Sequence, residues 1–84
     1  LIQVRYFASF RERLGSAGEE LAAKRISQVA DLLEALRARG GVWQELFAAD
    51  QPVVMVAVNQ EMADPSTPVQ DGDEVALFPP VTGG

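Results

Sequence analysis

Few side chains in this sequence are equipped for catalysis. Its 84 residues include no cysteine and no histidine. Thiolate and imidazole nucleophiles, disulfides and the usual zinc sites are therefore excluded. A single lysine, Lys24, accompanies six arginines. The densest acidic group is Asp71, Asp73 and Glu74. A calcium loop needs regularly spaced ligands closed by a glutamate over about twelve residues. That pattern is missing, and turn chemistry accounts for the group better. Neither Gly40-Gly41 nor Gly83-Gly84 has the spacing of a phosphate-binding loop. The one chemically distinctive group is the carboxylate of Gly84, at the end of Phe78-Pro79-Pro80-Val81-Thr82-Gly83-Gly84. A carboxylate is a poor electrophile and must be activated, for instance as an acyl-adenylate, before its oxygen can be replaced. A glycine terminus offers least hindrance to both steps.

The residues before Gly84 suit presentation of that group. Pro79 and Pro80 have fixed φ and lack an N–H, so they leave the strand and favour a stiff, extended segment. At about 3.3–3.6 Å per residue, residues 79–84 reach roughly 20 Å from the body. Such an arm fits a narrow channel on another protein, with mobility in isolation and order on binding. The plain alternative is a frayed terminus.

The bulk properties narrow the choice. One domain fits this length. A hydrophobic content of 48% is too high for a disordered chain. The formal charge of −5 argues against nucleic acid and allows a partner with a basic surface. No long apolar run or signal-peptide pattern is visible, so no membrane is expected and a cytoplasmic location is the default.

The elements that must position the tail are legible in order. In Leu1-Ile2-Gln3-Val4-Arg5-Tyr6-Phe7-Ala8, the residues Ile2, Val4 and Tyr6 share one face of a strand, and Phe7 marks the other as more than polar. Phe10 and Leu14 suggest a helical turn or structured loop closed by Gly15, and residues 19–26 a second strand. Arg11 and Arg13 are read as solvated, with contact to an acidic partner surface as the alternative. Glu19, Glu20 and Glu34 are also read as solvated. Ser27 is the expected N-cap of a helix whose apolar face is Val29, Leu32, Leu33 and Leu36, ended by Gly40-Gly41. Trp43, Leu46 and Phe47 form a short helical lid on the core. Val53 to Val58 reads as a strand covered on both faces or central in a sheet, Asn59-Gln60 as a tight turn, and Glu61-Met62 as a short strand. Residues 63–73 read as loop. Val75 to Phe78 is the last strand, with Val75 and Leu77 facing the core and Phe78 outward.

The resulting order, β-β-α-β-β-β, has one long helix, which covers one face of a sheet and leaves the other open. Phe7, Phe78 and Met62 belong to that open face as interface candidates.

This order with its Gly-Gly end resembles the ubiquitin-like β-grasp sulfur carriers. The stretch from Asp71-Gly72-Asp73-Glu74 through Val75 to Gly84 is similar to the end of the small subunits of molybdopterin synthases, as are Val4-Arg5-Tyr6-Phe7-Ala8, Arg11-Glu12, Leu14-Gly15 and Val58-Asn59-Gln60. The resemblance spans essentially the whole chain. It implies an α+β fold: a mixed sheet of four to five strands, one long helix on one face and a short helical segment, with residues 1–78 as the domain and 79–84 as the tail. It also implies that Gly84 is adenylated by an E1-like, ATP-using enzyme and converted to a thiocarboxylate with sulfur from a persulfide donor. The tail, Pro79, Pro80, Val81, Thr82 and Gly83, then enters the large synthase subunit. Sulfur passes to cyclic pyranopterin monophosphate within a heterotetramer whose catalytic residues lie on the large subunit. The carrier itself binds no cofactor or metal. Sulfur carriage for thiamine synthesis or tRNA thiolation, and a ubiquitin-like binding module without conjugation, are the alternative readings.

Overall fold

The computed structural model describes residues 1–48 and 55–79. The expected start of the Val53 strand and the tail residues 80–84 lie outside them. Five strands and three helices follow in the order β1 (Ile2–Tyr6), α1 (Ala8–Leu14), β2 (Gly18–Leu21), α2 (Val29–Arg37), α3 (Gly41–Phe47), β3 (Met55–Val58), β4 (Glu61–Ala63) and β5 (Glu74–Phe78). The strands form one sheet in the order β2-β1-β5-β3-β4. β1 pairs with β5 in parallel, and the other neighbouring pairs are antiparallel. The first and last strands thus lie side by side in the middle.

Strand alternation divides the sheet into two faces. Ile2, Val4, Tyr6, Val56, Val58, Val75 and Leu77 are buried on one face. Phe10 of α1, Val29, Leu32 and Leu36 of α2, and Phe47 of α3 join them in a single core. The predicted apolar stripe of α2 is the centre of this packing; Val29, Leu32 and Leu36 are completely inaccessible. All three helices contribute to the same side, which is the layering expected of one helix.

Several expected details differ. Gln28, not Ser27, occupies the N-cap of α2. Ser27 instead donates its backbone amide and hydroxyl to the Asp31 carboxylate, at 3.0 and 2.9 Å. These bonds hold the Asp31 carboxyl below the ordinary carboxylate range. The loop before β5 completes the cap, because Val29 and Ala30 donate their amides to the carbonyls of Thr67 and Pro65. The same loop sends Val69 into the core, which no periodicity revealed. α2 ends at Arg37 with Ala38 as its C-cap, and Gly40, at φ 77°, begins α3 rather than stopping α2. α1 is a complete seven-residue helix, longer than the single turn expected. It is closed by left-handed Gly15, where φ is 68° and glycine is the cheapest residue.

β2 is shorter than the 19–26 stretch because its pairing with β1 ends at Leu21 opposite Ile2. Gly18 lies so close to β1 that a Cβ there would fall 2.5 Å from the Val4 carbonyl oxygen. Glu19 is a second correction. It is half-buried rather than solvated: it accepts from the Tyr6 hydroxyl at 2.6 Å and receives both Arg39 Nη atoms at 2.8 and 2.6 Å. Arg39 also lies 4.5 Å above the Trp43 ring, and Tyr6 meets that ring edge-on at 5.7 Å. Trp43, Leu46 and Phe47 therefore pack on the core as the expected lid, and Arg39, stacked on Trp43, ties it to Glu19 of β2.

Candidate functional site

The helix-free face of the sheet is a shallow concavity built from the outward positions of its strands. Arg5, Ala76, Ala57 and Met62 are paired in sequence across β1, β5, β3 and β4, forming one continuous row. The two alanines make a low floor between longer side chains. Beyond this row, Met55 pairs with Phe78, and Phe7 joins by donating its backbone N–H to the Leu77 carbonyl at 3.2 Å. The Phe7 and Phe78 rings stack with centroids 4.8 Å apart and planes 15° from parallel. Phe7 remains 40% exposed and Met62 66% exposed. Gln60 and Glu74 complete the lining. The structure therefore brings Phe7, Phe78 and Met62 onto one face, at its two ends.

The sequence reading missed the polar part of this face. Arg5 donates its Nε to Glu74 Oε1 at 2.7 Å, diagonally across the β1–β5 pair, since Glu74 is itself opposite Gln3. The strand phase of Arg5 carried that signal, but its partner required the parallel register. Glu74 is thus a cross-strand partner and not part of an acidic metal cluster. Asp73 accepts from Asn59 Nδ2 and the Gln70 amide, and Asp71 from the amino group of Leu1. Among the described residues no group of His, Cys, Asp or Glu is arranged to hold a metal.

Pro79 follows β5 directly, so the chain leaves the sheet beside the Phe7–Phe78 stack. The tail candidates Pro80, Val81, Thr82, Gly83 and Gly84 lie outside the described residues. Lys24 is at the opposite end of the sheet from this exit, because it follows Leu21, whose partner Ile2 begins β1.

The sequence matches the ThiS family over residues 4–84. The chain belongs to the ThiS family. It is 39% identical to the molybdopterin synthase sulfur carrier subunit of Escherichia coli (strain K12), with 100% of both chains aligned. The solution structure of the Haloferax volcanii HVO 2177 protein superposes with a TM-score of 0.82 at 31% identity, covering 99% of this chain and 85% of that one. A chain from the complex of subunits 1 and 2 of the Helicobacter pylori molybdopterin-converting factor superposes with a TM-score of 0.63 at 26% identity, covering 99% and 97%. The mixed five-stranded sheet of this ThiS-family chain is the ubiquitin-like β-grasp, as the sequence resemblance implies. No described helix is long and apolar enough to cross a membrane.

Proposed function

We propose that this ThiS-family chain is the sulfur carrier subunit of a molybdopterin synthase. The observation that carries the reading is the end-to-end alignment, at 39% identity, with a protein of that name. The open face and the tail exit beside it support the reading. The Gly84 carboxylate attacks the α-phosphate of ATP on an E1-like enzyme, giving an acyl-adenylate and pyrophosphate. The terminal sulfur of a persulfide donor attacks the acyl carbon and expels AMP, giving an acyl disulfide. A second thiol of the donor system cleaves its S–S bond, forming a disulfide and releasing the thiocarboxylate. The tail, residues 79–84, enters the large subunit, and the thiocarboxylate sulfur passes to cyclic pyranopterin monophosphate. The transferred sulfur first joins Gly84 to the pterin as a thioester; water then cleaves the acyl C–S bond, leaving the sulfur on the pterin and a carboxylate on Gly84. The carrier positions the sulfur, and the large subunit supplies the catalytic side chains. Phe7, Met62 and Phe78 form the docking face for that subunit.

Intact mass after incubation with ATP, the activating enzyme and a sulfur donor tests the chemistry. The expected change is the exchange of one oxygen for sulfur at the C-terminus. A protein lacking Gly84 should keep its thermal midpoint, remain unmodified and support no molybdopterin formation. Sulfur acceptance by the truncated protein would refute the role of Gly84.

A further inference from the structure

The β3–β4 turn holds two consecutive non-glycine residues in the left-handed region, Asn59 at φ 50° and Gln60 at φ 70°. A two-residue hairpin turn of this hand favours glycine, especially at its second position. Asn59 has a structural reason to be there. Its side chain donates to Asp73 at 3.0 Å and accepts the Glu74 amide at 3.0 Å, while its own amide donates to the Glu74 carbonyl at 2.8 Å. Together these bonds fasten the turn to the start of β5.

Gln60 has no such reason. Its carboxamide makes no hydrogen bond to any described residue, and the residue is exposed. It instead lines the open face beside Met62 and Glu74. Of the described non-glycine residues with positive φ, Ala8, Arg25, Asn59 and Gln60, only Gln60 lies in the lining of the open face, which points to a contact there from outside the molecule. We infer that Gln60 is a polar anchor of the docking face, its carboxamide pairing with a main-chain peptide group of the large synthase subunit. The chemistry fits, because a carboxamide offers a donor and an acceptor side by side, matching a peptide N–H and C=O. The rigid turn fixes the stem of that group before binding, so little freedom is lost on association. This inference rests on the proposed function and adds a polar anchor to a face otherwise recognised by its apolar groups.

Calorimetric titration of the large subunit with the wild type, Gln60→Gly and Gln60→Ala, alongside thermal unfolding of each, tests it. Gln60→Gly should raise the thermal midpoint by relieving the left-handed strain, and both variants should bind about five- to tenfold more weakly, the worth of one interfacial hydrogen bond. Wild-type affinity in both variants would overturn the role of Gln60 and leave the synthase reading intact. Absence of binding by the wild type itself would overturn the synthase reading, and the inference with it.

Discussion

Phe7 and Phe78 are neighbours in space because β1 and β5 run in parallel, so the residue that follows β1 and the last residue of β5 emerge at the same end of the sheet. Their exposure was legible from strand phase alone; their stacking was not, since it depends on a pairing between segments about seventy residues apart. In the proposed complex the stacked rings are the apolar anchor. Phe78→Asp and Phe7→Asp should each cost about 2 kcal/mol of binding, roughly thirtyfold in Kd, because an aromatic contact is lost and a carboxylate is desolvated without a partner. Titration calorimetry reads this, and thermal unfolding of the same proteins separates docking from folding. A folded variant with unchanged affinity would remove that ring from the interface. Glu19 shows the opposite case. Nothing in its local sequence distinguishes it from a solvated surface acid. Its partners, Tyr6 and Arg39, come from β1 and from the connection after α2, and only the tertiary fold assembles them.

At the level of elements, α2 was the most readable part of the chain. Its residues repeat on one face regardless of what packs against them, and that stripe became the centre of the core. Its N-terminus was less readable because a distant loop supplies the missing acceptors: Thr67 and Pro65 lend carbonyls that no local pattern announces. Val69 was missed for the same reason, a single apolar residue in an irregular loop carrying no period. Leu36→Ala removes a completely buried side chain from α2. It should destabilise the fold by about 3 kcal/mol through lost transfer energy and the cavity left behind. Equilibrium urea unfolding measures this, and a loss well under about 1 kcal/mol would mean that the helix can collapse onto the sheet. Sulfur loading of the variant should persist wherever it remains folded, since α2 lies on the face opposite the proposed docking surface.

For the molecule as a whole, the polar contacts shape the dependence of stability on pH. Glu19 is held below its ordinary value chiefly by the Arg39 hydrogen bonds, and Asp64 chiefly by the Ser66 hydroxyl. Asp31 is lowered as well. These depressed carboxyls contribute stability that is present above about pH 4, where the unfolded groups are ionised, and is lost as pH falls through their folded values. Tyr6 is shifted the other way, with burial and then Glu19 pushing its phenol upward. Its contribution is complete below about pH 10 and declines above it, as the unfolded chain ionises while the folded phenol keeps its proton. Urea midpoints should therefore plateau near neutrality and fall on both sides. In Glu19→Gln the acid limb should be shallower, with a loss of about 1 kcal/mol at neutral pH because the pair is partly screened by solvent. An acid limb unchanged by that substitution would show that Glu19 does not carry it. The central position of β5 also has a mechanical consequence. Traction on the tail pulls along β5, which is held by β1 on one side and β3 on the other. The force crosses both ladders in shear, so their hydrogen bonds share the load instead of peeling away one by one. If the tail is drawn repeatedly from a channel, as proposed, it is anchored where the domain best resists being unravelled by its own handle.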